Sequence, residues 1–186
     1  MKPRPKAVFI DRDGVLIRDA DYLATTEGLS VFKGSPRALR LLRAAGFKIV
    51  IVTNQSGVAR GFFTDAAVRK IHAELRRRLA RAGAKWDAIY YSPHGPDSGH
   101  SWRKPGTGML LAAKKKLGLD LKGSFMIGDK TSDIECARRA GCASVLVLTG
   151  SAGRDKAFKA KPDAVRRDIL SAARWIAKKN STNLRA

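Results

Sequence analysis

The chain has 186 residues, enough for one domain with a real hydrophobic core. Its 37 Lys and Arg against 16 Asp and Glu give a formal charge of +21, a field that draws anions such as nucleic acid or phosphorylated metabolites. No apolar run nears the roughly 18 residues of a membrane span, no signal-peptide pattern opens the chain, and Cys136 and Cys142 form no CxxC pair. The expectation is therefore a cytoplasmic globular protein, without a membrane partner or a disulfide framework.

In chain order, short apolar runs at 7–10, 48–52, 86–91, 125–127 and 144–148 read as strands. Helical patterns lie between them. One begins at Ser35-Pro36, with Ser35 as the N-cap and proline at the first helical position, and stops before Gly46. A second follows Thr64, carries Asp65 in its first turn and stops at Gly83. Two more span 108–117 and 131–140, each closed by a glycine. The last covers 168–179 and precedes a polar tail, 180–186, expected to fray. The basic residues are scattered over 69–81, 114–116 and 154–179, as on solvated helix faces, rather than gathered into one nucleic-acid-binding tract.

Strands alternating with helices, and strands apolar along their whole length, predict an α/β fold: a Rossmann-like parallel sheet covered by helices on both faces. No linker or repeat divides the chain, so a single domain over 1–186 is expected, acting as a monomer. In such sheets ligands bind beyond the carboxyl ends of the strands. Polar motifs fall at those ends.

Asp11-Arg12-Asp13-Gly14 follows the first strand. Two carboxylates leaving a buried strand need a cation or protons, although an Asp-Gly turn alone would also account for them. In a chemical role Asp11 would attack phosphorus and Asp13 would protonate the leaving oxygen and then activate water. After the second strand, Thr53 offers a hydroxyl, and the loop of Asn54, Gln55, Ser56 and Gly57 lets backbone approach an anion closely. Lys104 suits a point charge on a phosphoryl group, while Arg103 suits bidentate recognition of a second anionic or hydroxylated group. After the fourth strand, Asp129 is placed as a hard oxygen ligand for Mg²⁺, Asp133 steadies it from one turn further on, and Lys130 adds a cation.

Taken together, these motifs resemble the haloacid dehalogenase superfamily of phosphatases along nearly the whole chain. VTNQSGVARGFFT at 52–64, RKPGTGM at 103–109 and GDKTSDIECA at 128–137 are similar to its heptose bisphosphate 7-phosphatase family. The resemblance implies a fold without a large cap, with the first strand central between the second and fourth. It implies Asp11 as nucleophile, Asp13 as acid and base, Thr53 and Lys104 on the phosphoryl group, and Arg103 on the substrate. Mg²⁺ would be held by Asp11, the Asp13 carbonyl and Asp129, with Lys130 close by. Asp19 and Tyr22 belong to a segment expected to touch substrate.

The implied substrate is a small phosphorylated sugar used in heptose assembly for the bacterial envelope. Histidinol phosphatases and polynucleotide 3′-phosphatases share parts of these motifs, and a basic nucleic-acid-binding protein on the same scaffold is the non-enzymatic alternative. Many relatives carry a Cys-x-His and Cys-x-Cys zinc loop before the Arg-Lys pair. Here Ser92, His94, His100 and Trp102 stand at those positions, and two imidazoles cannot complete a four-ligand zinc site. Structural zinc is expected to be absent, with the loop held by Pro93, Pro96 and the packing of Trp102.

Overall fold

The structure, a computed structural model, describes residues 3–183. Six strands form one parallel sheet: β1 (Lys6–Ile10), β2 (Lys48–Asn54), β3 (Ala88–Ser92), β4 (Asp120–Gly128), β5 (Ala143–Val147) and β6 (Ala164–Arg166). Their order is β3-β2-β1-β4-β5-β6. Five helices accompany them: α1 (Ser35–Ala44), α2 (Asp65–Arg81), α3 (Gly108–Leu117), α4 (Thr131–Ala140) and α5 (Ile169–Asn183). This is the expected Rossmann-like sheet, with no cap domain among the described residues.

Alternation along β1 shows why both sheet faces need cover. Val8 and Ile10 join Ile49, Ile51 and Ile127 in a core with residues of α1, α2 and α5. Ala7 and Phe9 join Val50, Val52 and Met126 in a second core with α3 and α4. Each fully buried Leu, Ile or Phe contributes about 1.5–3 kcal/mol, so these two layers supply the main driving force for closing helices on both sides.

Register then aligns the strand ends. Ile10 lies opposite Ile51 of β2 and Ile127 of β4, and the Asp11 amide donates to the Ile127 carbonyl at 3.0 Å. Because the chain runs outward from β1 to β3 and then returns to β4 on the other side, the crevice opens beside β1.

Several element ends differ from the sequence reading. Ser35 does not cap α1: Gly34 holds that position, and the Ser35 hydroxyl donates to the Leu16 carbonyl at 2.8 Å. Tying the segment after β1 to α1 takes the serine away from its own helix. Thr64 does cap α2, accepting from the Ala67 amide at 3.2 Å. Helix α5 continues to Asn183, beyond the expected end at 179, and residues 184–186 lie outside the described part. β6 has no counterpart in the sequence reading, being three residues long and partly exposed.

Candidate active site

A cavity of about 500 Å³ lies over the carboxyl ends of β1, β2 and β4. It is lined by Asp11, Asp13, Asp19, Tyr22, Thr53, Asn54, Gln55, Ser56, Arg103, Lys104, Lys130 and Asp133, so nearly every residue singled out from sequence converges here. Asp129 is fully buried, within reach of Asp11 and Asp133.

At the centre, Lys104 Nζ donates to Asp11 Oδ1 at 2.6 Å and to the Val52 carbonyl at 3.0 Å. It also lies 2.6 Å from Asp133 Oδ1 as an ion pair without an aligned hydrogen bond. Burial alone would lower the lysine's pKa, but the Asp11 and Asp133 carboxylates overcome it and hold the ammonium charged. Asn54 fixes this lysine's backbone, its Oδ1 accepting from the Lys104 amide at 3.0 Å and its Nδ2 donating to the Lys104 carbonyl at 3.1 Å. The Asn54 amide is thus committed within the protein.

Asp13 is held on the other flank. Arg12 donates to both its oxygens, Gln55 Nε2 donates to Oδ2 at 2.8 Å, and the Thr53 hydroxyl donates to Oδ2 at 3.2 Å. Thr53 and Gln55 therefore meet Asp13 first, where the sequence reading sent them toward substrate. Arg12 was not singled out from sequence, because its importance comes from burial and not from residue type.

Two glycines make room for Asp129. Gly14 and Gly150 both adopt positive φ, and a Cβ on either would sit about 2.5 Å or less from Asp129 Oδ2. That oxygen accepts from the Ser151 amide at 2.6 Å, whereas Oδ1 is buried without a partner among the described residues. Burial, then the charges of Asp11 and Asp133, push Asp129 up to about 8. Burial likewise pushes Asp11 up to about 7, against the pull of Lys104. Leaving carboxylates in such surroundings is costly unless a cation joins them.

Asp11, Asp129 and Asp133 offer oxygens within 4.8 Å of one another. Asp133 is the least available, with Oδ2 accepting from the Lys130 amide at 3.1 Å and Oδ1 on Lys104. Asp11 Oδ2, the orphaned Asp129 Oδ1 and the Asp13 carbonyl, which accepts no hydrogen bond among the described residues, remain. An all-oxygen set of this kind fits Mg²⁺.

The cavity mouth is cationic and aromatic. Arg103 is half-buried and donates to the His94 carbonyl at 3.0 Å; burial, with the nearby Arg60 charge, lowers its pKa. Tyr22 packs edge-on against Phe62 with centroids 4.7 Å apart, under the Arg60 guanidinium at 5.7 Å. Asp19 lies 3.8 Å from Lys130. Asp155 and Phe158, after β5, also line the cavity, but no motif in that segment pointed to them. In the loop before Arg103, His94 and His100 stack at 3.6 Å between centroids, and Trp102 packs edge-on against Tyr90.

Known proteins resemble this chain in sequence and fold. A haloacid dehalogenase-like hydrolase family model matches residues 8–78, and a HAD-hydrolase-like one matches residues 101–172. A D-glycero-D-manno-heptose-1,7-bisphosphate 7-phosphatase of Thermosynechococcus vestitus is 41% identical, over 94% of this chain and 96% of its own. A D-glycero-beta-D-manno-heptose-1,7-bisphosphate 7-phosphatase of Bordetella bronchiseptica is 38% identical, over 87% of this chain and 90% of its own. The crystal structure of a D,D-heptose bisphosphate phosphatase from B. bronchiseptica, complexed with magnesium and phosphate, superposes with a TM-score of 0.85 at 36% identity, covering 94% of this chain and 99% of that one.

Proposed function

Since the chain belongs to the haloacid dehalogenase-like hydrolases, we propose that it is a Mg²⁺-dependent phosphatase removing the 7-phosphate of D-glycero-D-manno-heptose 1,7-bisphosphate. The observation that carries the reading is the convergence of Asp11, Asp13 and Lys104 at one cavity beside the orphaned oxygen of Asp129. Asp11, Asp129 and the Asp13 carbonyl would hold the cation, which supplies positive charge to the phosphoryl oxygens and lets Asp11 stay ionised.

The residues divide the chemistry between them. The Asp11 carboxylate forms a bond to phosphorus as the bond to the sugar oxygen breaks, and Asp13 delivers the proton which that oxygen needs. Asp13 then takes a proton from water as the water displaces Asp11 from phosphorus, restoring both groups and releasing inorganic phosphate. Lys104 keeps Asp11 aimed, and Asp133, ion-paired with Lys104 and accepting from the Lys130 amide at the start of α4, keeps Lys104 in place. Arg103, with Asp19, Tyr22 and Lys130 around the mouth, grips the remote part of the sugar. The product would feed nucleotide-heptose assembly, and residues 1–186 would act as a single phosphatase domain.

The test is a hydrolysis screen with heptose bisphosphate, histidinol phosphate and a 3′-phosphorylated oligonucleotide. Heptose bisphosphate should be turned over best, and Asp11→Asn should abolish turnover with the fold intact, because the amide is nearly isosteric but cannot attack phosphorus. Near-wild-type turnover by Asp11→Asn would sink the mechanism. A preference for the oligonucleotide would overturn the substrate and leave the chemistry standing.

A further inference from the structure

The side chain of Arg12 points away from solvent although it leaves the same strand end as the reacting carboxylates; it is 1% exposed. A buried guanidinium must place its donors, and two of the three nitrogens of Arg12 are turned toward Asp13. Nη2 donates to Asp13 Oδ1 at 3.0 Å and to Gln55 Oε1 at 2.9 Å, while Nε donates to Asp13 Oδ2 at 3.1 Å. Gln55 passes the restraint on, donating to Asp13 Oδ2 at 2.8 Å and to the Thr53 hydroxyl at 2.8 Å.

The remaining end of the guanidinium meets His72 of α2, with Nη1 3.0 Å from Nε2. Arginine has no acceptor and does not lose its proton, so the imidazole must accept through Nε2 and carry its own proton on Nδ1. His72 is itself 7% exposed and packs edge-on against Tyr91. Burial and the adjacent Arg12 charge favour the neutral ring that this bond requires. His72, which does not itself line the cavity, therefore anchors the lining arginine that fixes Asp13.

We propose that Arg12 and His72 are positioning residues for proton transfer, holding the Asp13 carboxyl where it can reach the leaving oxygen. This rests on the reading of Asp13 as the proton donor. A displacement of about 1 Å in such a group can cost on the order of 10²-fold, so His72, behind the cavity lining, can control the rate through Arg12 without touching substrate. The arrangement has a specific signature: esters whose leaving oxygen needs the proton most should suffer most.

The experiment measures kcat/KM, which covers the steps through departure of the leaving group, for para-substituted phenyl phosphates from p-nitrophenyl to p-methoxyphenyl. His72→Leu removes the acceptor, His72→Gln restores one, Arg12→Lys keeps the charge without the fork, and Asp13→Asn is the reference. His72→Leu and Arg12→Lys should each lose about tenfold more on p-methoxyphenyl than on p-nitrophenyl phosphate, within the roughly 10²–10⁴-fold that general acid help supplies. His72→Gln should recover most of the loss.

Equal losses on both esters, or none, in folded His72→Leu and Arg12→Lys would overturn the proposal. Should His72→Leu not fold, Arg12→Lys decides it by the same ratio. If Asp13→Asn shows the leaving-group dependence and the other variants do not, the positioning role fails while the mechanism stands. If Asp13→Asn lacks it too, the assignment of Asp13 fails and this proposal with it.

Discussion

Arg103 stands where the cavity opens, half-buried, with one guanidinium nitrogen on the His94 carbonyl and the Arg60 charge nearby. Two cations kept close together favour an anion beside them, and Lys104 is already committed to Asp11 and Asp133. Arg103→Ala should therefore lower kcat/KM for heptose bisphosphate by at least about tenfold more than for p-nitrophenyl phosphate, because remote binding energy is used to orient the reacting phosphate. Equal losses on the two substrates would give Arg103 a general role instead. The convergence of Asp11, Asp13, Lys104 and Asp129 was legible in the sequence because their motifs, each with a plainer reading alone, fall together near successive strand ends. Arg12 and His72 were not, since a charged or imidazole side chain looks the same in sequence whether it is solvated or buried. The inward commitments of Thr53, Asn54 and Gln55 were hidden for a related reason: short polar side chains bond whatever the turn brings near, and only the fold brings Asp13 and the Lys104 backbone there.

Among the elements, α2 links the outer layer to the site. Its N-terminus is set by Thr64, and its buried stripe of Val68, Ile71, His72, Leu75 and Leu79 follows helical spacing with one polar member. Burial, then the Arg12 charge, hold His72 down at about 3, against an ordinary value of about 6.5. Between these values the unfolded chain binds a proton that the native protein does not, so stability is complete above about pH 6.5 and is lost as pH falls toward 3. The slope from this one group is at most about 1.4 kcal/mol per pH unit. Urea midpoints at pH 7 and 4.5 should drop in the wild type and drop less in His72→Gln, and parallel falls would show that His72 titrates normally. Helices such as α3 and α4 were readable to the residue because glycine closes each in the left-handed conformation. β6 was not, because three partly exposed residues bury too little to leave a pattern, and the strand exists only through its pairing with β5.

Across the whole molecule, charge is divided unevenly. Asp11, Asp13, Asp19, Asp21, Asp133 and Asp155 line the cavity and Asp129 lies just beneath, seven of the 16 acidic residues against four of the 37 basic ones. An anionic substrate must therefore approach a site rich in carboxylates, a repulsion that a bound divalent cation offsets only locally. The basic exterior acts at longer range, drawing anions toward the molecule before the acids of the site are felt. Its reach is set by salt, shrinking from about 30 Å at 0.01 M to about 8 Å at 0.15 M ionic strength. Raising NaCl between those limits at fixed Mg²⁺ should lower kcat/KM for heptose bisphosphate several-fold, through KM, while kcat stays level. p-Nitrophenyl phosphate, with fewer charges, should lose less. The opposite ordering, or a fall confined to kcat, would show that salt acts on the site itself and that the exterior charge does not steer this substrate.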